Sequence, residues 1–279
     1  MASIWKGSIA FGLVNVPVEL RRSVREERIS FRMLSKADNT PIKYQRVREG
    51  TNDAVPWGEI VKGYEVEKGN YVVLDDKDFE EAAVKQSGTL DILHFVEPQD
   101  IDPRFYESSY FMVPGRGGDR GFAILRDAMI ETPAMGIGKI IIHRRQHLAA
   151  IRADGDALVL LLMRFGNELV PASEYGFPSH VAADSPEMRI ATQLIDSMRT
   201  AFDANAYVDE YEENLRRIIN ARAKGRQVEL AGPTPAEHDD KILDLMDRLR
   251  ASLEGKQKEA AKANRPAARR SSPRRKRPA

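Results

Sequence analysis

Two glycine-rich strings in this chain have the residue types of a phosphate cradle, and both fail on spacing. In Gly115-Arg116-Gly117-Gly118-Asp119-Arg120-Gly121, Arg120 stands where a dinucleotide-binding loop needs its third glycine. Gly138-Lys139 matches the end of a phosphate loop, but Ile140 replaces the required Ser or Thr and Pro133 stands where the first glycine belongs. Both strings therefore read as turns at helix ends, where glycine supplies unusual backbone angles. His143 and His147 are four apart in a strand–turn–strand context with no Glu beside the first, which argues against a helical zinc site. The acidic clusters Asp75/Asp76/Asp78 and Asp209/Glu210/Glu212/Glu213 sit near helix starts and read as solvated faces that offset the helix dipole. No stretch joins a nucleophile to a base. The residues point to no enzyme, no metal and no cofactor.

The cations are better placed for binding. Lys43, Arg46 and Arg48 punctuate Ile42, Tyr44 and Val47, and Lys62 follows shortly after. Arg116 and Arg120 lie in the glycine-rich loop, and Arg144-Arg145 and Arg152 flank a predicted hairpin. Side chains of this kind neutralise phosphates without reading sequence, although each taken singly also serves as an ordinary surface charge. The net charge of +1 hides a division. Residues 255–279 hold ten Lys or Arg against Glu259, a net of +9, and residues 1–254 hold 33 basic against 41 acidic groups, a net of −8. Arg269-Arg270 and Arg274-Arg275-Lys276-Arg277, spaced by Ser and Pro, favour nucleic-acid contact or serve as a solubilising extension. A body of negative net charge binds a polyanion only where its cations are gathered on one surface.

Most of the first 165 residues read as strands. From Trp5 to Pro17 the odd positions Trp5, Ile9, Phe11, Leu13 and Asn15 share one face of an extended segment. Gly7 and Gly12 suggest bends or close approach, and Pro17 ends the ladder for want of a donor. Strands are expected at 29–34, 42–47, 71–74, 90–96, 105–113, 140–143, 148–152 and 157–164, with Asp154-Gly155 as a hairpin turn. Short helices are expected from Asp75-Asp76 to about Val84 and from Gly121 to Glu131. Many strands with few helices suggest a barrel or a sandwich.

After Pro178 the period becomes helical. Ser185-Pro186-Glu187 starts a helix with Met188, Ala191, Leu194, Ile195, Met198 and Phe202 on one stripe. A second helix spans about Tyr207 to Lys224, with Tyr211, Leu215, Ile218 and Ile219 inward and Gly225 as its cap. Thr234-Pro235-Ala236-Glu237 fits a capping box opening a helix with Ile242, Leu245, Met246, Leu249 and Leu253 on one face. That helix either docks on its own barrel or fills a partner's groove. The segment from Lys256 onward has the composition of a disordered tail. There is no apolar run long enough for a membrane span, no signal-peptide pattern, and no cysteine, which suits a reducing cytoplasm.

Four strings, in order, carry a resemblance. The opening Trp5-Lys6-Gly7-Ser8-Ile9-Ala10-Phe11-Gly12-Leu13-Val14-Asn15-Val16-Pro17-Val18 resembles the start of the bacterial Ku proteins, which bind DNA ends. The strings Val61-Lys62-Gly63-Tyr64-Glu65 through Leu74, Asp102-Pro103 through Tyr110-Phe111-Met112-Val113-Pro114, and Gly136-Ile137-Gly138-Lys139 through Leu158 resemble the family's later signatures. The resemblance spans roughly residues 3–165 and continues more weakly to about 254.

The resemblance implies a mainly β fold with α: a Ku-core β-barrel with a DNA-encircling bridge over 1–178, a helical arm with dimer contacts over 179–230, a ligase-docking helix over 231–254 and a disordered basic tail over 255–279. It implies a homodimer that encircles double-strand break ends and recruits the multifunctional ATP-dependent bacterial DNA ligase for non-homologous end joining, in the cytoplasm on the nucleoid and away from membranes. Loops at about 35–65 and the Arg144–Arg152 hairpin would form the ring, with Ile242, Leu245, Met246 and Leu249 docking the ligase. The larger N-terminal domain of eukaryotic relatives is expected to be lacking, since the barrel motif begins at Trp5. Two rivals remain: an architectural DNA binder working through its tail, and a nucleotide-dependent enzyme.

Overall fold

The structure is a computed structural model describing residues 3–25, 28–84 and 88–226. The chain divides into two compact units between Glu174 and Tyr175.

In the first unit, β1 (Trp5–Phe11) turns straight back into β2 (Val14–Arg22). Phe11 pairs with Val14, which leaves Gly12-Leu13 as a two-residue loop, and Gly12 takes φ +57°. The opening segment is thus two strands and not one. Leu13, expected inward, is 106% exposed at the tip, and Asn15 is exposed as well.

Pro17 does not end the ladder but lies inside β2. Its carbonyl accepts from the Gly115 amide at 2.8 Å. A strand residue points its nitrogen and its carbonyl the same way, here toward β6 (Tyr106–Pro114), whose paired register begins at Val18 opposite Pro114. The Gly115 carbonyl, which an amide at position 17 would meet, accepts from the Gly118 amide at 2.9 Å instead, so the missing donor leaves that acceptor satisfied.

The remaining strands are β5 (Thr89–Val96), β6 (Tyr106–Pro114), β7 (Met135–Ile142), β8 (Arg145–Asp154) and β9 (Ala157–Met163). They close a seven-stranded barrel in the order β1-β2-β6-β9-β8-β7-β5. Every pairing is antiparallel except β1 with β5, whose parallel register (Ser8 opposite Thr89) seals it. Strict alternation fills the interior with Val16, Val18 and Leu20 from β2, Leu158, Leu160 and Leu162 from β9, and Ile9, Leu90, Ile140 and Ile151. Each such side chain contributes roughly 1.5–3 kcal/mol on burial.

Helix α2 (Asp119–Glu131) adds Phe122, Leu125 and Met129 to the same core. It touches β2 and β8, three steps apart around the barrel, so it lies across one mouth. A second cluster, Met135, Ile137, Ala150 and Met163, is covered by Ile101, Phe105 and Tyr106. Apolar cover on both faces is why Ala157–Met163 reads as one unbroken greasy run. Gly138 is no turn: it stands inside β7, where a Cβ would overlap the carbonyl oxygen of Asp91 on β5.

Strand direction sorts the loops. β1, β5, β6 and β8 run one way and β2, β7 and β9 the other. The long excursion over residues 23–88 therefore leaves β2 and returns to β5 at one end of the barrel, and the β7–β8 hairpin lies at that end too. The β1–β2 and β8–β9 hairpins and the loop into α2 lie at the other.

Within the excursion the expected strands at 29–34 and 42–47 do not form. Only the isolated bridges Leu34–Pro41 and Val47–Ala54 close two tight loops, because neither segment has a third strand or a core to pair against. Strands β3 (Lys62–Glu67) and β4 (Asn70–Leu74) make a separate hairpin, followed by α1 (Asp76–Ala82). Asp75 and Asp78 form the capping box of α1.

In the second unit, α3 (Pro186–Met198) is capped by the Ser185 hydroxyl, which accepts from the Met188 amide at 3.2 Å. Helix α4 (Glu210–Ala223) starts three residues later than expected because the Asp209 carboxylate caps it. It ends at Gly225 with φ +69°. Leu215 and Ile218 are half-buried, but Tyr211 and Ile219, expected inward, are exposed. The helix expected over 235–254 and the basic tail lie outside the described residues.

Candidate nucleic-acid interface

The structure splits the cations that the sequence singled out. Lys43 lies between the two tight loops of the excursion, Arg46 at the base of the second and Arg48 within it, and Arg144 and Arg145 are on the β7–β8 hairpin, at the barrel end from which the excursion leaves. All five are exposed, and none is ion-paired to a carboxylate among the described residues.

Arg116, Arg120 and Arg152 are at the opposite end. Arg152 and Arg145 do not flank one hairpin tip: six residues of β8 lie between them, about 24 Å of strand. Arg152 is also held by Asp154 at 3.2 Å. Other arginines are spent on the scaffold. Arg104 is gripped by Asp102 at 2.6 Å, Arg164 donates to the Tyr106 carbonyl at 2.8 Å, and Arg126 pairs with Asp127 at 2.8 Å. The Asp102 carboxyl lies below its usual range because Arg104 donates to it.

The hairpin tip has an unusual backbone. Ile142 pairs with Arg145, so the loop is His143-Arg144, with φ +50° and +67°. Such a turn prefers Asn-Gly, and both residues here have a Cβ that opposes left-handed backbone. Their types gave no signal of it. Beside them His147 is partly buried. Burial, then Arg145, pushes its imidazole below the ordinary value, against the pull of Glu107 and Glu168.

Two cations rest on aromatic rings. The Arg46 guanidinium carbon is 4.2 Å from the Trp57 ring centroid, and the Lys62 ammonium is 4.2 Å from that of Phe79. Eleven and seventeen residues separate these pairs in the chain, so no spacing rule announces them.

Their settings differ. Residues 28–62 hold seven basic and four acidic groups, whereas residues 63–84 hold two basic and seven acidic. Lys62 thus faces α1, which carries Asp76, Asp78, Glu80 and Glu81, while Arg46 lies in the basic limb.

The remaining candidate for chemistry is a cleft of about 800 Å³ lined by Tyr106, Met129, Met135 and Arg152 among others. Burial raises the Tyr106 hydroxyl, and Arg152 partly offsets it. The lining joins no nucleophile to a base, and no acid or histidine cluster suited to a metal occurs among the described residues. No described helix is long and apolar enough to cross a membrane.

Comparison with known proteins agrees with the barrel. The protein named non-homologous end joining protein Ku in Opitutus terrae is 39% identical over 255 residues, 91% of this chain and 91% of that one. The one of Cupriavidus necator is 36% identical, covering 92% of this chain and 78% of its own. That of Archaeoglobus fulgidus is 35% identical, covering 91% and 99%. The family described as Ku70/Ku80 beta-barrel domain matches residues 10–189, so this chain belongs to the Ku β-barrel family.

Proposed function

We propose that this chain is a homodimeric, sequence-independent DNA-end-binding protein that closes around double-strand break ends in the cytoplasm and recruits the multifunctional ATP-dependent bacterial DNA ligase for end joining. The observation that carries the reading is a set of exposed cations with no carboxylate partner among the described residues, Lys43, Arg46 and Arg48 on the long excursion and Arg144 and Arg145 on the hairpin at the barrel end from which that excursion leaves, in a body of negative net charge. The relatives' names supply the process. Exposed Tyr64, Val66, Tyr71 and Val73 on the excursion, and Ile195, Met198 and Tyr211 on the helices, are apolar surface that a second copy would cover. A closed ring needs no base contacts, because it loads only where the duplex ends.

The decisive test is binding to one plasmid, linear against covalently closed, with residues 256–279 present and deleted. Binding confined to linear DNA with and without the tail supports threading and makes Arg269, Arg270, Arg274, Arg275, Lys276 and Arg277 accessory contacts. Equal binding to the circle that vanishes with the tail refutes the ring and favours an architectural protein. Deleting 235–254, with Ile242, Leu245, Met246 and Leu249, is expected to spare DNA binding and abolish stimulation of the ligase.

A further inference from the structure

We propose that Trp57 is a positioning residue that holds the Arg46 guanidinium against its ring and so presents the cation to a DNA backbone phosphate. The inference rests on the DNA-binding reading above and goes one residue further. The loop that makes the pair is closed by backbone alone: the Val55 amide donates to the Arg46 carbonyl at 2.9 Å, and the Arg48 amide donates to the Asp53 carbonyl at 2.8 Å. Pro56 then leads into a short 3₁₀ turn that starts at Trp57, and the Ile60 amide closes it on the Trp57 carbonyl at 3.2 Å. The isolated Val47–Ala54 bridge thus brings residue 57 back to residue 46.

Three features show that the pair is built for more than packing. Trp57 is 72% exposed, so its indole fills no core. Glu49, Asp53 and Glu59 all lie nearby in sequence, yet Arg46 pairs with none of them and takes the ring instead. Among the described residues the Arg46 guanidinium makes no side-chain hydrogen bond or ion pair besides the ring contact, so its N–H donors are left for a phosphate. Lys62 over Phe79 is the internal contrast. There the aromatic belongs to a helix with four carboxylates, which would repel a phosphate, so that pair fastens α1 to β3.

The experiment is a double-mutant cycle on the full chain, with a linear 40-base-pair duplex titrated by fluorescence anisotropy across a series of salt concentrations. Arg46→Gln is expected to weaken binding and to flatten the plot of log affinity against log salt by roughly 0.9 for each Arg46 that touches phosphate. Trp57→Leu is expected to weaken binding about two- to five-fold per subunit, the exposed cation–π range. Trp57→Phe should restore most of that, and Trp57→Leu should add nothing in the Arg46→Gln background. An equal Trp57→Leu loss in both backgrounds overturns the inference and marks the indole as packing or dimer surface. An Arg46→Gln variant with unchanged affinity and slope overturns it too, while leaving the end-binding reading intact if the wild type still binds only linear plasmid.

Discussion

Replacing Arg144 by Gly should stabilise the barrel and weaken DNA binding at once. His143 and Arg144 are forced to φ +50° and +67° by a register that leaves only two residues between Ile142 and Arg145. Left-handed backbone costs a residue with a Cβ roughly 1–2 kcal/mol. Glycine escapes that cost but brings back about 0.5–1 kcal/mol of unfolded-state entropy. The balance is a gain of about 0.5–1 kcal/mol for Arg144→Gly. Asn39, Asn52 and His143, the other non-glycine residues of this kind among those described, are of types that populate the region more readily, so the strain concentrates at Arg144 and His143→Gly should gain less. Under the end-binding reading, the loss on the DNA side is one phosphate contact for each Arg144. A fourfold rise in salt should then weaken the wild type about 3.5-fold more than the variant, for each Arg144 engaged. Trp5, whose ring packs over Gly7 inside the barrel wall, reports unfolding in denaturant, and anisotropy on linear duplex reports binding. A lower unfolding midpoint for Arg144→Gly would refute the strain argument. Higher stability with unchanged affinity and salt slope would remove Arg144 from the interface.

Two further outcomes test the scaffold. Gly138→Ala places a Cβ against the Asp91 backbone, 3.1 Å from its carbonyl carbon, where no side chain can rotate away. It should cost about 1–3 kcal/mol or more in a denaturant melt, whereas Gly166→Ala, with nothing within 4 Å, should stay within about 0.5 kcal/mol of wild type. His147 is depressed first by burial and then by Arg145, so the unfolded chain takes up that proton before the folded one does as pH falls. Its contribution is complete above the ordinary imidazole range and is lost as pH falls from there toward the folded value; His147→Gln should flatten that part of a stability–pH profile.

What the sequence made legible was the part ruled by local periodicity. β-rich runs between turn residues located β5, β6, β8 and β9 within about three residues but only the second half of β7, and Ser185, Asp75 and Gly225 marked helix ends because capping chemistry is read from neighbours. What escaped it depended on partners distant in the chain. Pro17 can sit inside β2 because the Gly115 carbonyl opposite it is met by the Gly118 amide, which no window around Pro17 contains. The segments 29–34 and 42–47 have strand composition but no neighbour to complete a sheet. The same holds for the interface. Residue type nominated the cations, but which end of the barrel each occupies follows from strand direction, and which are already paired follows from three-dimensional contacts such as Arg152 with Asp154.

The charge division inside the excursion then assigns its two limbs. Under the end-binding reading, residues 28–62, net +3, are the limb that can lie against a duplex with a phosphate charge per roughly 1.7 Å of axis. Residues 63–84, net −5, cannot share that surface: at about 0.1 M salt, repulsion persists over about 10 Å, so this limb must stand off or face away. Yet it carries Tyr64, Val66, Tyr71, Val72 and Val73 in water, on a two-stranded sheet too small to be stable alone. A limb repelled by DNA and unable to cover its own apolar surface is suited to a protein partner. Lys62 stands at the border between the two, with its ammonium turned onto Phe79 of the acidic limb, and that contact ties β3 to α1.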